Sequence, residues 1–238
     1  SMVVYRLRPE AKFLDGTPIT PDDAIWSMQA LRDANPFYNA YYKNIAKAEQ
    51  TGDHEVTFTF SQKGNRELPL ITGQLPVLSK AWWTGKDAQG KQRNIQETSF
   101  EVPLGSGAYV ADDVKLGTSI RMKRVADYWG KDLPVNVGQN NFDVIEYIYF
   151  RDANVAFEAF KGDQFDWRTE TSSKVWATGY DFPAVKSGMV VLDKIKLMQV
   201  EGMQAWSLNL RRNKFQDARV RQALNLAFDF EWANQNLF

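Results

Sequence analysis

The stretch of sequence that decides the fold of this chain is KFLDGTPITPDDAIWSM, residues 12–28. It contains a turn dipeptide, Asp15-Gly16, because glycine adopts a positive φ without steric cost. Further on, Thr20 can accept a hydrogen bond from the amides of a first helical turn. Pro21 suits the first helical position, where a missing N–H costs nothing. The stretch therefore predicts the end of a strand, a tight turn and a helix that begins at Pro21.

The first turn of this predicted helix carries further start signals. Asp22 and Asp23 place negative charge at the positive end of the helix dipole, and Asp23 completes a Thr-x-x-Asp capping box with Thr20. Apolar residues then recur at helical spacing at Ala24, Ile25, Met28 and Leu31. This spacing indicates that one face of the helix packs against a core.

The composition bounds the class of protein. The chain has 238 residues, of which 44% are hydrophobic and 24% charged, a balance typical of a globular protein of one or two domains. Its 29 basic and 29 acidic residues cancel, so no nucleic-acid partner is indicated. No apolar run approaches the roughly 18 to 20 residues of a membrane-spanning helix. Residues 3–8 indicate a strand and residues 230–238 the start of a helix, which suggests a piece of a longer protein.

Patterns that would support catalysis or metal binding are scarce. The chain has no cysteine, which excludes disulfides and thiol chemistry, and a single histidine, His54, which we interpret as a surface imidazole. Carboxylates lie close in sequence at 22/23, 112/113 and 163/166. Their contexts predict a helix cap, a turn and a structural signature rather than general acid–base chemistry. The sequence therefore predicts no catalytic residue, no metal site and no cofactor.

Alternation and helical spacing predict strands and helices along the rest of the chain. Strands are predicted at residues 54–60, 118–124, 142–150 and 204–210, the third with a nearly continuous apolar face. Helices are predicted after Pro36 and at residues 153–161, 172–178 and 215–229. Gly162 is expected to end the second of these helices, and Asp217 to cap the last. These elements together predict an α/β fold.

Five sequence motifs follow one another along the chain. They are FLDGTPITPDD at 13–23, PLGSGAY at 103–109, DYWG at 127–130, GDQFD at 162–166 and NLRRNKFQDARVRQALNLAFD at 209–229. In this order they resemble the family 5 extracellular solute-binding proteins, the oligopeptide- and dipeptide-type receptors of bacterial ABC importers. Val125 stands where that family more often has Asn. The last motif is similar to the subgroup linked to oligopeptides and to the peptide-nucleotide microcin C.

The resemblance implies a type II periplasmic binding protein fold, with mixed-sheet lobes and flanking helices, of which this chain is an incomplete part. It further implies a division into three regions. Residues 3–103 would form the extra lobe of the large peptide receptors, 104–205 the core of the first ligand-binding lobe, and 206–238 the start of the second. In such a receptor, hinge closure around the ligand would replace chemistry.

The resemblance also implies a ligand site, because in that family segments at strand ends line the cleft and grip the peptide. Two segments here are expected at strand ends, 167–170 and 203–206. Peptide recognition needs main-chain hydrogen-bond partners, a carboxylate for the amino terminus and aromatic walls for side chains. The residues expected to bind ligand are Trp167, Arg168, Glu170, Met203, Gln204 and Trp206. A contact between lobes is the alternative interpretation for each of them.

The expected partners are an oligopeptide or peptide-like solute and an inner-membrane ABC permease, with the full-length protein a periplasmic monomer. A receptor of the same fold for a sugar, an opine or a nickel chelate is one alternative. A hydrolase is another, disfavoured because no Gly-x-Ser-x-Gly elbow is present. A structural or interaction module is a third. Cut from its sheet, the C-terminal region would expose Leu224, Phe228, Trp232 and Phe238, so self-association of the piece is expected.

Overall fold

The computed structural model describes residues 1–198, 200, 202–203 and 205–236. The chain divides into two compact units, residues 1–149 and 150–238, and each unit is described by itself. Within the described ranges, none of the helices combines the length and the apolar character needed to cross a bilayer. The predicted division at 103/104 and 205/206 stays a prediction about lobes of the whole protein.

The first unit begins with a three-stranded antiparallel sheet. Its strands are β1 (Met2–Arg6), β2 (Ile45–Gly52) and β3 (Glu55–Phe60), in the order β1-β3-β2. The strand predicted at 54–60 is thus confirmed as the central strand, and His54 lies exposed in the turn that precedes it. Because β3 has a neighbour on each side, most of its residues are buried.

Four helices accompany this sheet in the first unit. They are α1 (Pro21–Ala34), α2 (Pro36–Tyr41), α3 (Leu68–Gly73) and α4 (Lys80–Trp83). Helix α1 contributes Ala24 and Met28 to a core that also draws on the sheet, as the helical spacing predicts. The remaining buried members of this core are Tyr42, Ile45, Val56, Phe58, Phe60 and Leu68.

The capping box predicted at the start of α1 is confirmed. The Asp23 amide donates to Thr20 Oγ1 at 3.2 Å, and the Asp23 carboxylate accepts from the Thr20 amide at 2.9 Å. The other carboxylate oxygen of Asp23 accepts from the Lys80 amide at 2.9 Å. The buried Asp23 therefore caps α1 and also fixes the start of α4, a contact that spacing alone does not reveal.

Replacing the cap residue gives the first testable prediction. Thr20→Ala should lower the free energy of unfolding by about 1 kcal/mol, because the Asp23 amide loses its acceptor. Pro21→Ala is the matched control and should cost much less, since Pro21 contributes only a preset φ at this position. The midpoints of urea unfolding measure the stability of the two variants. A larger loss for Pro21→Ala than for Thr20→Ala would show that the Thr20 side chain does not stabilise the start of α1.

A second three-stranded antiparallel sheet completes the first unit. Its strands are β4 (Tyr109–Lys115), β5 (Ser119–Arg124) and β6 (Val144–Ile148), in sequential order. The strands predicted at 118–124 and 142–150 are therefore confirmed. The apolar side chains of β6 are less buried than their pattern suggests, since Val144, Tyr147 and Ile148 are all exposed.

Three of the motif segments meet in the first unit. The Leu14 amide donates to the carbonyl oxygen of Gly105 at 2.9 Å, which joins the first motif to the second. The Trp129 indole donates to the carbonyl oxygen of Ser106 at 3.0 Å and brings in the third. Within the first motif, Gly16 has a φ of +87°, the positive value expected of the Asp-Gly turn.

The second unit is built from helices joined by irregular segments. The helices are α5 (Ala153–Lys161), α6 (Ser173–Thr178), α7 (Pro183–Lys186), α8 (Ala218–Leu226) and α9 (Phe230–Asn236), with a 3₁₀ turn at Asn213–Phe215. The helix predicted at 215–229 is shorter in the structure, where it corresponds to α8. Asp217 caps α8 as predicted, because its carboxylate accepts from the Arg219 amide at 2.8 Å.

The strand predicted at 204–210 is wrong for the described residues. Residues 205–209 adopt no regular secondary structure, and residue 210 begins a turn. A strand is held by hydrogen bonds to a neighbouring strand, and no described residue pairs with this segment. The alternating pattern of residues 205–210 is therefore not paired with any strand among the described residues.

Candidate ligand-binding site

The segment that carries three of the predicted ligand residues follows α5 directly. Helix α5 ends with Gly162 as its C-terminal cap, as predicted, and Asp163 then adopts a φ of +58°. Asp tolerates this left-handed conformation better than most residues. The amide of Gln164 donates to the carbonyl oxygen of Ala159 at 3.1 Å. The chain is thereby anchored to the helix before it runs on through residues 165–172.

Arg168 and Glu170 form an ion pair inside the second unit. Arg168 Nη2 donates to Glu170 Oε2 at 2.8 Å, and the two side chains are only 14% and 6% exposed. Glu170 Oε1 accepts from the Ser172 amide at 2.8 Å, and Oε2 also accepts from the Tyr180 hydroxyl at 3.1 Å. Both carboxylate oxygens are therefore engaged by groups of the protein itself.

Aromatic rings surround this ion pair. The guanidinium carbon of Arg168 lies 4.8 Å from the ring centroid of Phe157 and 5.9 Å from that of Phe160, within the range of cation–π attraction. Tyr180 packs against Phe157 at 5.1 Å and against Trp176 at 5.9 Å between ring centroids. The pair thus lies in an environment from which water is largely removed, where its electrostatic attraction is stronger than at an exposed site.

The Tyr180 hydroxyl is held in its protonated form. Burial raises the pKa of the Tyr180 phenol above its ordinary value, the nearby Arg168 charge opposes that change, and the hydrogen bond to Glu170 adds to it. A protonated phenol is a donor, which is what the Glu170 carboxylate needs as a neighbour. The phenol therefore stays a donor near neutral pH, as its hydrogen bond to Glu170 Oε2 requires.

Among the described residues, one nitrogen of the Arg168 guanidinium has no hydrogen-bond acceptor. Arg168 Nη1 is buried and has no hydrogen-bond acceptor among the described residues. An unpaired buried donor costs free energy, so the stability of the buried Arg168 guanidinium depends strongly on its remaining side-chain acceptor. That acceptor is Glu170.

The other predicted residues that the structure describes lie on the surface. Trp167, Met203 and Trp206 are 71%, 88% and 74% exposed, and the Trp206 ring makes an edge contact with Phe228 at 6.1 Å between centroids. Gln204 lies outside the described residues. The expectation that segments 167–170 and 203–206 sit at strand ends is wrong, because none of their described residues adjoins a strand. The assignment of all six residues to a ligand site stays a prediction.

Sequence reasoning missed Tyr180 and the rings of Phe157 and Phe160. Nothing in their local spacing marks them as partners of a charged pair. Among the described residues, no group of three or more His, Cys, Asp and Glu side chains is arranged to hold a metal ion.

Comparison with solved structures identifies the fold. The chain is similar to NikZ from Campylobacter jejuni, whose structure was determined in complex with Ni(L-His), with a TM-score of 0.67 and 18% identity over 99% of this chain and 43% of that one. At this level of identity the likeness concerns the fold alone. The chain therefore has the α/β fold of the type II periplasmic binding proteins.

Sequence comparison then identifies the family. Residues 2–238 match the family described as "Bacterial extracellular solute-binding proteins, family 5 Middle", and the chain belongs to this family. It is 47% identical to the probable peptide-binding protein YejA of Agrobacterium fabrum over 98% of this chain, and 37% identical to the peptidoglycan-binding protein YepA of the same organism over all of it. The chain spans 38% and 39% of the lengths of these two curated relatives.

Proposed function

We propose that the whole protein captures oligopeptides or peptide-like solutes in the periplasm and delivers them to an inner-membrane ABC permease. The observation that carries this proposal is the 47% identity to a relative named a probable peptide-binding protein, which extends over 98% of the chain. The family match extends over nearly every residue of the chain, and it supports solute binding and transport rather than catalysis. The protein would act by closing its lobes around the solute.

The exposed residues of the predicted set are the proposed ligand contacts. Trp167 and Trp206 offer flat apolar faces, and Met203 offers an adaptable side chain that suits varied peptide side chains. All three leave most of their surface open, a costly arrangement unless something covers it. The exposed C-terminal side chains Leu224, Phe228 and Trp232 support the further proposal that the isolated chain self-associates; Phe238 lies outside the described residues.

The names of the relatives suggest two other solute classes. The likeness to YepA suggests peptidoglycan fragments as a solute class. Such fragments carry peptide stems and so share the chemistry of the proposed solute. The likeness to NikZ keeps a nickel chelate as an alternative, although it rests on the fold alone. Sugars and opines remain alternatives on the same ground, because one fold serves several solutes.

Identification of the bound solute tests the proposal. The whole protein, purified from periplasm without denaturation, should carry peptides that mass spectrometry detects after acid release. Calorimetry on the stripped protein should then show binding of the synthetic form of the released peptide. Muropeptide stems, nickel with histidine, and maltohexaose serve as comparison ligands in the same titration. Preferential binding of nickel with histidine or of maltohexaose over the peptide would contradict the proposed solute and replace it. Preferential binding of muropeptide stems would narrow the peptide-like solute to fragments of peptidoglycan.

A further inference from the structure

We propose that Glu170 and Tyr180 are positioning residues, which act through Arg168 to hold residues 165–172 in the conformation that presents Trp167 to a ligand. The proposal deepens the proposed function, on which it rests for its ligand. It also changes the role of Glu170, which peptide chemistry alone assigns to the amino terminus of the solute. In the new role Glu170 does not touch the solute.

The surroundings of Glu170 support this change of role. Its side chain is 6% exposed, and its two oxygens together accept from the Ser172 amide, the Arg168 guanidinium and the Tyr180 hydroxyl. With three donors already on its two oxygens and little of its side chain exposed, Glu170 is poorly accessible to an amino group of a ligand unless one of these donors is displaced. Displacing them would leave the buried Arg168 charge without its acceptor, a large cost.

Residues on both sides of Trp167 face inward and fix its backbone. Phe165 packs against Phe150 and Phe160, each at 5.5 Å between ring centroids. On the other side, Arg168 is held by Glu170 and by the face of Phe157. Trp167 itself points outward and is 71% exposed. The segment thus combines a restrained backbone with a free indole ring.

Such an arrangement favours binding because the backbone of the segment is already ordered before a ligand arrives. A ligand that stacks on a ring whose backbone is fixed loses less free energy to ordering than one that must organise a mobile loop. The indole accepts a flat apolar partner, such as the side chain of an aromatic or proline residue or the plane of a peptide bond. Residues that only restrain the segment therefore affect affinity without meeting the ligand.

Hydrogen exchange and peptide capture on the whole protein test the proposal together. The variants are Glu170→Gln, Tyr180→Phe and Trp167→Ala, with Glu158→Gln as the matched control on the exposed pair with Lys161. Tyr180→Phe keeps the ring and removes one hydrogen bond, so it remains informative if Glu170→Gln fails to fold. The capture probe is an equimolar mixture of synthetic tri- to pentapeptides, quantified by native mass spectrometry.

The expected result has two parts. Glu170→Gln and Tyr180→Phe should speed exchange of the amides of residues 165–172 several-fold relative to the control, and exchange in α1 should not change. The same two variants should reduce capture about tenfold, an effect that Trp167→Ala should match without faster exchange. This pattern separates a residue that positions the segment from one that stacks on the solute.

Other results would overturn the proposal in distinguishable ways. Reduced capture by Glu170→Gln with unchanged exchange would show that Glu170 contacts the solute directly. Unchanged exchange in both Glu170→Gln and Tyr180→Phe would show that the ion pair does not restrain the segment at all. Absence of capture by the unaltered protein would instead refute the proposed peptide function, and the exchange comparison would still decide whether Glu170 and Tyr180 hold the segment.

Discussion

Glu170→Ala should lower the free energy of unfolding by about 3–5 kcal/mol, the cost of removing one partner from a buried ion pair. The variant leaves the Arg168 guanidinium, 14% exposed, without the carboxylate that faces it, and Arg168 Nη1 already lacks an acceptor among the described residues. The Tyr180 hydroxyl and the Ser172 amide lose their acceptor at the same time. Urea unfolding followed by circular dichroism measures the effect.

The chain offers a matched control for this prediction. Glu158 forms a pair with Lys161 at 2.8 Å in the same unit, but its side chain is exposed. Glu158→Ala should therefore change the free energy of unfolding by at most about 0.5 kcal/mol, since exposed pairs contribute little. Replacing Arg168 by Met and Glu170 by Leu should recover the part of the loss that comes from the unpaired charge, while the Tyr180 hydroxyl and the Ser172 amide still lack their acceptor. Equal effects of Glu158→Ala and Glu170→Ala would contradict the burial argument.

Phe58→Ala should destabilise the first unit by about 3–5 kcal/mol, the usual cost of deleting a buried phenyl ring from a packed core. Phe58 is 2% exposed on the central strand β3, and its ring makes an edge contact with Tyr5 at 5.9 Å between centroids. Truncation of the ring leaves a cavity in the core. Because β3 is hydrogen-bonded to β1 on one side and β2 on the other, its backbone cannot easily move to fill that cavity. Hydrogen exchange of the β3 amides, together with urea unfolding, measures the loss.

Val4→Ala on the neighbouring strand is the control for Phe58→Ala. Val4 is exposed and lies opposite Thr57 in the sheet, so its truncation should cost about 0.5 kcal/mol or less. A loss for Phe58→Ala as small as that for Val4→Ala would mean that the sheet repacks around the cavity. The core described around β3 would then not be what stabilises the first unit.

The sequence by itself determined the features that depend on neighbours a few residues away. The Thr20–Asp23 capping box, the positive φ of Gly16 and the cap at Asp217 all form within one turn of chain. Their geometry follows from local sterics and local hydrogen bonds, so a pattern of residue types suffices to predict them. The order of five such motifs also indicated the family, which the match over residues 2–238 confirmed.

Only the tertiary structure decided which side chains are buried and paired. Glu170 and Trp167 stand three residues apart, and the sequence assigned both to a ligand, yet one is enclosed and the other is exposed. That difference depends on Phe157, which lies on α5 and contacts Arg168, and on Tyr180, which follows α6 and donates to Glu170. Likewise, residues 205–210 have a strand pattern but form no strand, because pairing requires a partner that local sequence does not specify.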